Sequence, residues 1–144
     1  MFLFDEPAAQ LVRDAPLDHL WLFLPVGYLA TILIETPVLL FGLSPKLNFR
    51  QKSACGAWLT ACTYPVVVLV LPAAMQDFSR FSYLLAAEIF APVAECVLFW
   101  LAFRGRKSLD ANDWIRSFMA IVLANLASFG IGEILNYYRW FGLF

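Results

Sequence analysis

The chain has 144 residues, of which 62% are hydrophobic and 15% charged, with a formal net charge of −1. Soluble globular chains average about 45–50% apolar and about 25% charged residues, so both values point to a bilayer and exclude a large soluble domain. The near-neutral balance gives no basic field for phosphates, so no nucleic-acid partner is expected. The 3 cysteines sit in apolar blocks, without the spacing of a disulfide framework or a zinc site.

Residues 1–19 interleave apolar residues with Asp5, Glu6, Arg13, Asp14 and Asp18, and are interrupted by Pro7 and Pro16. This predicts a short amphipathic segment lying at the interface, with His19 where it meets the membrane. The N-terminus is acidic and the first apolar block exceeds a signal-peptide core, so uncleaved insertion is expected.

The first span is predicted over about 21–43, with Glu35 inside it and Pro37 two residues on. Its length suffices to cross a bilayer as a helix. Pro37 frees the carbonyl of Leu33, which another group must satisfy. Lys46, Arg50 and Lys52 then mark a loop. The second span is predicted over about 53–71, kinked at Pro65 and ended by Pro72. Its small-xxx-small pairs, Gly56 with Thr60 and Ala57 with Ala61, suit close helix approach in lipid. Cys55 and Cys62, seven apart, read as small packed residues of one face.

The third span, about 81–103, carries Glu88, Pro92, Glu95 and Trp100. A basic loop with Arg104, Arg106 and Lys107 leads to Asn112 or Asp113 as the expected cap of the next helix. The fourth span, about 114–138, carries Asn125, Ser128, Gly130, Gly132 and Glu133 and ends in an aromatic belt. A shift of 55 residues superposes Tyr28-Leu29 on Tyr83-Leu84 and Pro37-Val38 on Pro92-Val93. Those matches, in apolar sequence, fall short of an internal repeat.

The expected fold is therefore an all-α integral membrane protein. Four transmembrane helices form one polytopic bundle over 1–144, preceded by the interfacial segment. Lys46, Arg50, Lys52, Arg104, Arg106, Lys107 and Arg116 gather at one end, against Arg13, Arg80 and Arg139 at the other. The positive-inside rule then places both termini outside the cytoplasm, in a multi-pass protein of the plasma or inner membrane.

Intramembrane carboxylates are costly and are functional candidates by default. With the helical rise of about 1.5 Å per residue, Glu35 and Glu95 fall about three residues to the loop side of mid-bilayer. Asn125 and Tyr64 fall near the centre, so these four side chains are expected in one layer, with Glu88 and Glu133 in the outer half. Apart from Arg116 at the loop end of the fourth span, no Lys, Arg or His lies within the spans, and none lies at the depth of these carboxyls. Glu35 and Glu95 are therefore expected to be neutral and hydrogen-bonded to Asn125, Tyr64 or proline-freed carbonyls, unless they bind a cation or face water. Keeping a carboxyl neutral at pH 7 costs about 3.7 kcal/mol. An interhelical hydrogen bond in a membrane returns about 0.6 kcal/mol on average, so gluing helices together is an inefficient use of them.

Two functions fit. The first is a small accessory or structural subunit of a larger membrane complex, its partners being lipid, other membrane subunits or further copies of itself. The alternative is a small proton- or cation-coupled transporter or channel lined by Glu35, Glu88, Glu95 and Glu133. The chain has no H-E-x-x-H, G-x-S-x-G or C-x-x-C. No catalytic residue or metal ligand is assigned, and no cofactor is specified.

Overall fold

The computed structural model describes residues 17–138, all of whose elements are helical. Helix α1 runs Leu17–Gly42, α2 Phe49–Ala74, α3 Arg80–Phe103 and α4 Ala111–Tyr137. All four are long and apolar enough to cross a membrane. Helix α1 packs against α2 and α4, and α3 packs against the same two, so the chain forms an up-and-down four-helix bundle. Large apolar side chains point outward on every helix, among them Leu33, Phe41, Leu69, Ile89, Val93, Val97, Ile115 and Leu123. An outer surface of this kind is solvated by lipid, and the chain is a multi-pass membrane protein. Most of the predicted interfacial segment, with Arg13, lies outside the described residues, as does Arg139. Positions 17–19 already belong to α1.

The boundaries differ from the sequence expectation where polar residues start a helix. Helix α2 begins at Phe49, so Arg50 and Lys52 are its first turn and not a loop. Asn48 accepts from the Gln51 backbone N–H at 2.9 Å, and Gln51 Oε1 accepts from the Asn48 N–H at 3.1 Å. This capping box fixes the start independently of hydropathy. Helix α4 is capped by Asp110, ahead of the expected Asn112 or Asp113. Asp110 Oδ1 accepts from the Asp113 N–H at 3.0 Å, and Asp113 Oδ2 accepts from the Asp110 N–H at 3.1 Å.

Pro72 does not end α2. Pro65 closes an α-helical stretch, Phe49–Pro65. A π-helical turn follows over Val66–Val70, and Pro72 sits in the first turn of a last α-helical piece, Leu71–Ala74. Proline is tolerated there because first-turn N–H groups have no partner within an α-helix. In the π register Leu71 N–H bonds Val66 O, and the next bond, to Val67 O, would come from residue 72, which has no N–H. The Tyr83 hydroxyl of α3 donates to Val67 O at 3.0 Å in its place. On the other side of α2 the Tyr28 hydroxyl donates to Ala57 O at 3.0 Å.

The end of α1 is closed by side chains of two other helices. Its last carbonyls, like those of any helix, lack partners within the helix. Leu43 N–H bonds Leu39 O at 3.0 Å. Lys52 Nζ donates to Leu40 O and Leu43 O at 3.1 and 3.0 Å. Arg116 donates to Phe41 O and Gly42 O at 3.0 and 2.9 Å. A cation suits a helix C-terminus. Lys52, unfavourable at the start of its own helix, is favourable here. Beside it, buried Ser44 donates its hydroxyl to Asp113 at 2.7 Å, and its N–H bonds Ser117 Oγ at 3.3 Å. Lys46 pairs with Asp113 at 2.6 Å and with Asp110 at 2.9 Å. The carboxylates of Asp113 and Asp110 raise the Lys46 ammonium above its ordinary pKa, and Lys46 holds Asp110 below the usual carboxylate range.

The apolar core fills the same end of the bundle. Leu39, Leu43, Leu47, Cys55, Leu59, Phe99, Ala120, Ile121 and Ala124 are buried together. Phe99 meets Phe103, Trp114 and Phe118 at ring distances of 4.8, 5.8 and 6.5 Å. Two glycines permit close crossings: a Cβ on Gly56 would strike Thr36 of α1, and one on Gly42 would strike Ala120 of α4. Gly130 and Gly132 face open space instead. Cys55 is buried, but Cys62 is exposed, so the two do not share a packed face as the spacing suggested. A thiol is apolar enough to face lipid.

Gly56→Ala is expected to lower unfolding stability in mixed micelles by about 1–3 kcal/mol, since the Thr36 backbone must move, whereas Gly130→Ala leaves it unchanged. Equal effects of the two substitutions would refute the tight α1–α2 crossing. For the loop clasp, a depressed Asp110 contributes stability that is present at neutral pH and lost as pH falls below about 3.9. Thermal melts at pH 7 and pH 3 should therefore show a smaller acid-side loss in Lys46→Gln than in the wild type.

Candidate functional site

Four helices bring polar side chains into the bundle interior on the terminal side of the apolar core. Glu35 of α1 is 2% exposed and Glu95 of α3 is 1% exposed. Glu35 Oε2 lies 2.6 Å from the Thr60 hydroxyl of α2, and Oε1 lies 2.8 Å from the Ser128 hydroxyl of α4. Glu95 Oε1 lies 2.8 Å from the Thr63 hydroxyl of α2, and Oε2 accepts from Asn125 Nδ2 of α4 at 2.8 Å. Each carboxyl thus ties its own helix to both neighbours.

The local reason is helical spacing. Thr60 and Thr63 are i and i+3 on α2, and Asn125 and Ser128 are i and i+3 on α4, so each pair shares a face. Each helix therefore offers one polar group to Glu35 and one to Glu95. The sequence brought Glu35, Glu95 and Asn125 to one layer, and the structure places them together there. Tyr64 is differently placed. It lines the space beside the cluster with its ring 6.0 Å from that of Tyr28, while its neighbour Thr63 takes the bond to Glu95. Consecutive helical residues are about 100° apart, so both cannot face the same carboxyl. Hydroxyls therefore replace Tyr64 and the proline-freed carbonyls as the partners expected from sequence. The signal for them was the i, i+3 threonine pair, hidden because Thr60 also satisfied a small-residue packing motif.

A hydroxyl has one proton to donate and lone pairs to accept. Thr60 Oγ1 is also 2.7 Å from Gly56 O, Thr63 Oγ1 is 3.1 Å from Leu59 O, and Ser128 Oγ is 2.9 Å from Asn125 O. Each hydroxyl therefore stands between a backbone carbonyl and a carboxyl oxygen. Beside an ionised carboxylate it donates to the carboxylate. Beside a neutral carboxyl it can turn to the carbonyl and accept the carboxyl proton. Both protonation states keep a set of hydrogen bonds, at the cost of a hydroxyl rotation. Asn125 is less free. Its Nδ2 also donates to Ile121 O at 3.0 Å, and a carbonyl only accepts, so the amide nitrogen must face Glu95. A neutral Glu95 consequently carries its proton on Oε1, toward Thr63.

A chamber of about 170 Å³ adjoins the cluster. Its lining includes Thr31, Glu35, Tyr64, Glu88, Asn125 and Ser128. That volume holds a few water molecules. Glu88 Oε2 is buried and has no hydrogen-bond partner among the described residues. Glu88 lies within electrostatic reach of both Glu35 and Glu133, which extends the acidic groups toward the terminal end. Among the described residues no three His, Cys, Asp or Glu side chains converge to hold a metal ion.

No protein family, characterised protein or solved structure matches this chain. Fold and site alone define its class: a multi-pass, four-helix membrane protein with a carboxyl–hydroxyl cluster at its centre.

Thr63→Ser keeps the hydroxyl and should leave unfolding stability within error. Thr63→Val should lose about 0.6 kcal/mol, and no more than about 1.7, in the same assay. A loss in Thr63→Ser with none in Thr63→Val would show that the methyl packing, not the hydroxyl bond to Glu95, is what matters.

Proposed function

We propose that this chain takes up and releases a proton, or a small monovalent cation, at Glu35 and Glu95, as a small coupled transporter or a channel-forming subunit of one. The observation that carries this reading is the set of hydroxyls poised between carboxyl and carbonyl oxygens, which accommodates a carboxyl in either charge state. A purely structural clasp needs one state only. The adjoining chamber and the open valence of Glu88 supply a route by which water or a cation reaches the cluster. With the cation-rich loop end in the cytoplasm, the chamber lies toward the opposite face.

A second reading is an accessory subunit of a larger membrane complex. It is favoured by the dry apolar core on the loop side, where Leu39, Phe99 and Ile121 have no exposed surface. In this conformation that core separates the chamber from the loop end. A chain that carries protons alone must open it, whereas a subunit can pass them to a neighbour.

Purified chain in proteoliposomes with an internal pH dye should conduct protons under a pH gradient. Glu35→Gln and Glu95→Gln should abolish the flux while the protein stays folded. Unchanged flux in both variants would reject the proposed role of the carboxyls. An inactive wild type that leaves native membranes with other polypeptides in fixed stoichiometry would establish the subunit reading instead.

A further inference from the structure

A groove of about 600 Å³ runs along the outside of the bundle between α3 and α4. One stripe of α3 lines it, Ile89, Pro92, Val93, Cys96, Val97 and Trp100, at the i, i+3, i+4, i+7 spacing of a single helix face. Phe118 and Val122 of α4 form the other wall. From Ile89 to Trp100 the helix rises about 16 Å. That is close to half of a hydrocarbon core about 30 Å thick, so the groove is about one leaflet deep.

The groove has a charged end. The exposed Arg104 guanidinium lies over the Trp100 ring, 5.4 Å from its centroid. Arg106, also exposed, stacks in the same way on Phe103. Tryptophan and a cation at the end of an apolar span are the residues that sit at headgroup level. Stacking on Trp100 fixes Arg104 at the mouth of the groove, where it pairs with no carboxylate among the described residues.

We propose that this groove binds an anionic glycerophospholipid, with one acyl chain along the α3 stripe and its phosphate on Arg104. The length of the groove, its apolar lining and the cation at one end match the parts of such a lipid in order. A transmembrane helix of another chain would use the apolar wall but leave the arginine without a counter-charge. Basic sites beside transmembrane helices on the cation-rich side commonly recognise anionic headgroups.

The full chain, in phosphatidylcholine vesicles, can be titrated with brominated phosphatidylglycerol or brominated phosphatidylcholine. The Trp100 signal is taken as the difference between wild type and Trp100→Phe. Half-maximal quenching of Trp100 is expected at an about fivefold lower mole fraction of the anionic lipid, the preference of one interfacial cation. Arg104→Lys should keep that preference and Arg104→Gln should remove it. Equal quenching by both lipids in the wild type would overturn the proposal. So would protection of Trp100 from both lipids together with a Cys96–Cys96 disulfide in a Cys62→Ser background, which would seat a second copy in the groove.

Discussion

A hydrocarbon interior offers no partner to a polar group, so each one that enters it must be answered by the protein. Much of the architecture of this bundle follows from that constraint. The end of α1 is answered by Lys52 and Arg116, and Val67 O by the hydroxyl of Tyr83. The two central carboxyls are answered by two threonines, a serine and an asparagine. These bonds run between helices, so satisfying the backbone and the glutamates is the same act as fixing how the helices meet. Small residues then allow the distances: at Gly56 and Gly42 a side chain would strike the neighbouring helix.

The bundle is consequently divided along its length. Toward the loops it is dry, aromatic and closed, with ion pairs and caps gathered at the surface. Toward the termini its interior is polar, with a chamber and an open carboxyl oxygen. The first half is built to hold its shape, since loss of any buried bond there strands a carbonyl or a charge. The second half holds groups that can exchange donor and acceptor roles without moving the backbone.

The sequence exposed what depends on long-range averages. Four apolar blocks, the loop side of the cations and the shared depth of Glu35, Glu95 and Asn125 all follow from composition and helical rise. It hid what depends on single contacts. Hydropathy placed the second span at about 53, because Arg50, Gln51 and Lys52 look like loop; the Asn48–Gln51 box makes them helix. Pro72 reads as a terminator until a π turn moves it into a first turn. Lys52 and Arg116 counted as topological charges, and nothing local reveals that they close the end of another helix. The meeting of Ser44, Asp113 and Ser117 is invisible in sequence because it depends on a fold that brings residues 73 and 69 positions apart into contact.

The end of α1 also orders the assembly of the chain in time. Lys52 lies only 12 and 9 residues from the carbonyls it serves, whereas Arg116 lies 75 and 74 residues from Phe41 and Gly42. As the polypeptide leaves the ribosome, α1 and α2 can pair and half-close that end while the rest is still being made. Phe41 and Gly42 keep their open carbonyls until the last helix arrives. The final span is thus the latch of the molecule, and a nascent chain cut short before it is left with an unfinished polar edge at the membrane surface.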